Sequence, residues 1–309
     1  MFKKIFSIVL FSYSVLLVPY TILSSDDNLE LSYFVKNIAQ ELITAIFKYG
    51  YDGKLFINID KDVPSNKIDN KIDIIISNHY LGSVDIMLII IILHHYKIYS
   101  YNFLYNKDTY KYIPGIGLIL KSSHDIPIEQ NINIDSMTIK NKTLEMDSKY
   151  HKHFIIIFPE GPIYNYSYKK LSSKDYAKEN KIHLNNLLIP KAKGLYCLIN
   201  QLQLQNKLGS IWDFTVNHNK NDYYVRIRKL YIDNFKNYLH FKKYIYNLWK
   251  KKDKLLDNYD AIKYKQIYIK NNYYFFILII FIICCQTIIL TKIKYLVLFI
   301  LRILYHYIF

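Results

Sequence analysis

Hydrophobic and polar positions divide this chain into three regimes. Residues 5–23 are almost wholly apolar, with Lys3 and Lys4 before them and Asp26 and Asp27 after them. Residues 273–290 form a second unbroken apolar run, and 295–309 a third that is shorter and contains Arg302. Between these ends, short apolar runs alternate with stretches of helical period. Residues 29–49 place Leu31, Phe34, Val35, Ile38, Leu42, Ile43, Ile46 and Phe47 on one helical face, the pattern of an amphipathic helix. Residues 55–59 and 72–76 read as strands, separated by a polar loop containing Pro64 and Asn66.

Further along, 86–95 reads as a buried helix, 99–105 and 126–128 as strands, and 134–150 as a helix. The run Phe154-Ile155-Ile156-Ile157-Phe158 is apolar at every position, as a strand covered on both faces must be. Residues 224–231 predict a late strand and 241–259 a charged helix. Alternating strands and helices predict an α/β layered domain with a mostly parallel central sheet.

A length of 309 residues allows one large domain or two small ones. A helix of about 20 residues at roughly 1.5 Å per residue crosses the ~30 Å hydrocarbon core, so 5–23 and 273–290 are candidate membrane helices. The piece 295–309 is either a tilted span or an interfacial helix. For the first segment a cleaved signal peptide is the alternative. The resulting division is an N-terminal membrane anchor at 1–25, a central domain at 26–270 and C-terminal membrane segments at 273–309. The net charge of +16 suits an anionic surface such as phospholipid, although Lys abundance throughout the chain explains it equally well. No Arg-rich arm or zinc-finger spacing points to nucleic acid. Cys197, Cys284 and Cys285 make neither a disulfide framework nor a metal cage.

Two blocks carry candidate chemistry. Asn78-His79-Tyr80-Leu81-Gly82-Ser83-Val84-Asp85 follows a buried strand, at the strand end where open α/β sheets keep their crevices. An imidazole there accepts a proton from an attacking hydroxyl, and a carboxylate on its other nitrogen fixes the tautomer. Asn78 can hold the loop through side-chain hydrogen bonds. Phe158-Pro159-Glu160-Gly161 leaves the next buried strand as a tight turn carrying a carboxylate. The run 250–254, rich in Lys, reads as a solvated helix face.

Together these blocks resemble the glycerolipid acyltransferase family, whose hallmarks are Asn-His-x4-Asp followed by Phe-Pro-Glu-Gly-Thr. The resemblance extends to residues 112–117 (Tyr-Ile-Pro-Gly-Ile-Gly) and to 186–195 (Asn-Leu-Leu-Ile-Pro-Lys-Ala-Lys-Gly-Leu). Within a C-terminal extension at 211–260 it includes the strand-like Ile211 to Val216 block and Trp249-Lys250-Lys251-Lys252-Asp253-Lys254-Leu255-Leu256. These blocks are similar to the branch containing lysophosphatidate, lysophosphatidylinositol and lysocardiolipin acyltransferases. Asp85 lies one residue further from His79 than the family spacing. On one continuous helix that residue would turn the carboxylate by about 100°, unless Gly82 absorbs it.

The resemblance implies acyl transfer from acyl-CoA, as co-substrate with no bound cofactor, to the free hydroxyl of a lysophospholipid. It implies His79 as base and Asp85 as its orienting acid. Substrate binding would fall to Asn78, Phe158, Pro159, Glu160 and Gly161, with Lys121 and Lys193 supplying positive charge. A phospholipid membrane, acyl-CoA and lysophospholipid would be the partners, and no nucleic acid. The implied location is a membrane, the endoplasmic reticulum first and the mitochondrion as the alternative. A weakened relative that binds lipid or organises a membrane is the other reading.

Overall fold

The computed structural model describes residues 40, 43, 44, 47, 53–108, 125–146, 152–161, 175–180, 182–219, 222–232, 235, 237–259 and 262–268. The chain divides into two units, Met1–Ile269 and Lys270–Phe309, and every described residue belongs to the first. The strands are β1 (Leu55–Ile59), β2 (Ile72–Ser77), β3 (Tyr101–Asn106), β4 (Ile126–Ile128), β5 (His153–Ile157), β6 (Leu208–Asn219), β7 (Asp222–Leu230) and β8 (Lys265–Ile267). The helices are α1 (Ser83–His95), α2 (Ile132–Glu145), α3 (Ala192–Leu204) and α4 (Tyr238–Asp257).

The strands form one sheet in the order β4-β3-β5-β2-β6-β7-β1-β8. Every neighbouring pair is parallel except β6–β7 and β1–β8, so the domain is α/β with a mostly parallel sheet. Its centre is built from the apolar runs. β2 and β5 are buried along their whole length and pair Ile74 with Ile155 and Ile76 with Ile157.

Period-two alternation sends their side chains to two cores. Ile75, Phe154 and Ile156 meet α1, whose Leu88 to Leu93 segment is buried all round, as a helix apolar on every side must be. Ile72, Ile74, Ile76, Ile155 and Ile157 join Leu195, Leu198 and Leu202 of α3 and Phe241, Ile245 and Trp249 of α4. The sheet is therefore covered on both faces.

Several sequence expectations shift at their edges. The buried helix begins at Ser83 rather than 86, and the strand expected at 224–231 spans Asp222–Leu230. α3 and β8 had no counterpart in the hydropathy reading. Of the expected helix at 29–49, Gln40, Ile43, Thr44 and Phe47 are described and are helical. Gln40 Nε2 donates to the Ile98 carbonyl at 3.0 Å, tying that segment to the loop after α1. Among the described residues no helix is long and apolar enough to cross a membrane. The candidate spans at 5–23, 273–290 and 295–309, like the turn at 112–117, lie outside the described residues.

Candidate active site

β2 and β5 deliver both chemical blocks to one edge of the sheet. Ile76 and Ile157 are register partners, and His79 and Glu160 each lie three residues beyond them. The wide spacing of the blocks in sequence is thus a consequence of parallel pairing.

The loop after β2 is locked before it reaches His79. Asn78 is fully buried. Its Nδ2 donates to the Val216 carbonyl at 2.9 Å, and its Oδ1 accepts from the Val216 N–H at 2.8 Å. Both ends of this amide are engaged by β6 backbone, so Asn78 holds the loop. The amide is turned to β6 at both its Nδ2 and its Oδ1.

His79 Nδ1 stands 3.0 Å from Asp85 Oδ2. The same oxygen accepts the backbone N–H groups of Leu81 at 2.9 Å and Gly82 at 3.1 Å. Gly82 caps α1 with φ 73° and ψ −121°, a conformation open to a residue without Cβ. It breaks the path between His79 and the helix, so the added residue is taken up in the loop and Asp85 becomes the third helical residue. There its carboxylate reaches back to the cap, as an acidic residue does at this position. Asp85 is fully buried, and its Oδ1 has no hydrogen-bond partner. Burial pushes its pKa up, against the lowering effect of His79 and the two backbone donors. With Asp85 accepting from Nδ1–H, the lone pair of Nε2 is left as the basic face. The ring is 12% exposed and stacks on Phe158 at 4.4 Å.

The second block forms the expected tight turn. Gly161 N–H donates to the Phe158 carbonyl at 3.0 Å, and Gly161 has φ 79°. The Pro159 carbonyl accepts from Lys191 N–H at 2.7 Å, joining the turn to the loop before α3. Glu160, however, points inward. It is 1% exposed, and its Oε1 accepts from the Trp249 indole N–H at 2.9 Å. Burial raises the Glu160 pKa to about 7, although the Trp249 hydrogen bond, the Lys252 charge and the His79 backbone all lower it. The Glu160 carboxylate thus faces α4. Gly161 is exposed and half-buried Phe158 faces the His79 ring, while Pro159 is buried.

Of the proposed positive groups, Lys193 is exposed in the first turn of α3, and Lys121 lies outside the described residues. The solvated reading of 250–254 holds for exposed Lys250, Lys251 and Lys254 and is corrected at Lys252 and Asp253. Phe241, Ile245, Leu248 and Trp249 set the buried stripe of α4, and its continuation at helical spacing falls on Lys252 and Asp253. Lys252 is 1% exposed. Its Nζ lies 2.5 Å from Asp213 Oδ1, donates to the Phe214 carbonyl at 2.9 Å and sits over the Trp249 ring. Burial pushes the Lys252 pKa down while Asp213 pulls it up. Arg228 Nε pairs with the other Asp213 oxygen at 2.6 Å.

Asp253 accepts the backbone N–H groups of Asn185, Asn186 and Leu187 at 2.9, 2.7 and 3.1 Å. Sequence reasoning quoted Trp249, Lys252 and Asp253 within a block but gave them no role. Their place on the apolar stripe was the available signal. Cys197, on α3, is buried, and burial pushes its thiol up, away from a nucleophilic thiolate.

This architecture can be set beside known proteins. Residues 59–196 match the model of the Acyltransferase family. Lysophosphatidylinositol acyltransferase 10 of Caenorhabditis elegans is 27% identical over 111 residues, covering 36% of this chain and 28% of that protein. A probable 1-acyl-sn-glycerol-3-phosphate acyltransferase 5 of Arabidopsis thaliana is 26% identical over 113 residues, covering 36% and 29%. The match therefore spans under a third of the length of either curated relative. The crystal structure of the 1-acyl-sn-glycerophosphate acyltransferase PlsC from Thermotoga maritima superposes with a TM-score of 0.50 at 13% identity, over 86% of this chain and 100% of that one. That likeness concerns the fold. The sequence match concerns the segment that holds His79, Asp85 and the turn at Glu160. Over residues 59–196, this chain is similar to the Acyltransferase family.

Proposed function

We propose that this protein transfers an acyl group from acyl-CoA to the free hydroxyl of a lysophospholipid, with a lysophosphatidylinositol or 1-acylglycerol 3-phosphate as acceptor. The acceptor class follows the names of the two curated relatives. The observation that carries the reading is the His79–Asp85 hydrogen bond at the sheet edge, next to the turn built by Phe158 to Gly161. A carboxylate turned into the core would have favoured the lipid-binding alternative.

In this reading His79 Nε2 takes the proton of the acceptor hydroxyl as the oxygen attacks the thioester carbonyl. Asp85 holds the Nδ1–H tautomer and stabilises the imidazolium. The tetrahedral intermediate collapses by breaking the C–S bond, and the departing sulfur takes the proton from Nε2. An ester and free coenzyme A result. The terminal apolar segments would hold the domain against the bilayer that supplies the acceptor.

A panel of radiolabelled lysophospholipids offered with one acyl-CoA to the full-length protein in phospholipid vesicles tests the proposal. The expected result is esterification of one acceptor class, strongest for lysophosphatidylinositol or lysophosphatidate. No labelled diacyl product from any acceptor would overturn it.

A further inference from the structure

The chemistry at the sheet edge rests on a buried polar chain that starts far away in sequence. The indole N–H of Trp249, on α4, donates to Glu160 Oε1 at 2.9 Å, and the ammonium of Lys252 lies over the Trp249 ring. Glu160 belongs to the turn whose Phe158 stacks on the His79 ring at 4.4 Å. Its second oxygen, Oε2, has no side-chain or backbone hydrogen-bond partner that satisfies ordinary geometry. Lys252 is held in turn by Asp213 and the Phe214 carbonyl of β6, the strand whose Val216 clamps Asn78. His79 is therefore backed from two sides, through Asn78 by β6 and through the Phe158–Gly161 turn by α4. Removing one partner of such a chain leaves the others buried and unsatisfied.

We propose that Trp249 and Lys252 are positioning residues for His79: Trp249 acts through Glu160 on the turn whose Phe158 ring backs the imidazole, and Lys252 acts through β6 on Asn78. The C-terminal extension is then part of the working site, although it lies beyond the segment that matches the family. A 1 Å error in such placement can cost on the order of a hundredfold in rate. The kinetic consequence rests on the acyl-transfer reading, but the placement itself does not.

The test uses full-length protein in phospholipid vesicles. Trp249→Phe keeps the ring and removes only the N–H, and Lys250→Ala, exposed on the same helix, is the control. The first readout is the rate at which diethyl pyrocarbonate modifies His79, measured by peptide mass. Loss of the brace should raise that rate about threefold or more and leave exposed His240 unchanged. An unchanged rate at His79 would overturn the proposal, whether or not the protein turns over substrate. Should Trp249→Phe fail to fold, Glu160→Gln, which keeps one acceptor oxygen and loses the other, is judged by the same measurement.

The second readout is kinetic. Trp249→Phe should lower kcat about tenfold or more with KM changed less than about twofold. Adding it to Glu160→Gln should lower kcat no further. Independent, additive losses would mean that the two residues do not act through one chain.

Discussion

Gly82 brings His79 and Asp85 together: its φ of 73° ends the loop and starts α1 so that Nδ1 and Oδ2 stand 3.0 Å apart. Any side chain at position 82 would resist that backbone conformation. Gly82→Ala is expected to destabilise the domain by about 1–2 kcal/mol, read as a lower Tm. It is also expected to slow turnover by on the order of 10², because the carboxylate would leave the line of the imidazole. A variant with normal turnover would show that the loop tolerates a different route to the same contact.

Glu160 makes stability depend on pH in a stated direction. Its pKa is about 7 in the fold against an ordinary value of 4.5. Below 4.5 it is protonated in both states. As the pH rises, the unfolded chain ionises first, so the fold loses stability between about 4.5 and 7, and the loss is complete above 7. Glu160→Gln lacks this titration. Relative to wild type, it should gain about 2 kcal/mol in unfolding free energy between pH 5 and pH 8. Urea unfolding at the two pH values measures this, and a relative loss over that interval would contradict the burial argument.

Asp253 closes three backbone N–H groups at 185–187, just before the stretch that meets Pro159. Asp253→Ala removes the acceptor of those donors in a partly buried loop. The expected cost is about 2–3 kcal/mol, seen as a shifted urea midpoint with an unchanged m-value. Asp253→Asn should recover part of it, because one amide oxygen still accepts. Equal losses in the two variants would argue that charge matters more than hydrogen bonding here.

The parts of the fold legible in sequence are those whose neighbours impose a simple period. Ile74 to Ile76 and Phe154 to Ile157 are apolar at every position because both faces are covered, and their strands match the structure to within a residue. α3 was missed although Leu195, Leu198, Ile199 and Leu202 repeat at helical spacing, because the residues before it were read only as a motif. β8 contributes three residues and exists through pairing with β1, a long-range event that local pattern does not carry. At the site, His79 and Asp85 were legible as a pair. The inward turn of Glu160 was not, since it depends on an indole 89 residues away. Lys252 misled for a physical reason: a lysine is ordinarily solvated, and only its place on the stripe of Trp249 and Ile245 betrays burial.

The account centres on Nε2 of His79 as the proton acceptor, steadied by Asp85. The most direct measurement is the initial rate of acyl transfer from acyl-CoA to the preferred lysophospholipid for wild type and His79→Ala at equal amounts of folded protein. The account predicts a loss of about 10²–10⁴ in kcat with little change in stability, since the ring lies at the edge of the core. Turnover in His79→Ala equal to that of wild type would contradict it.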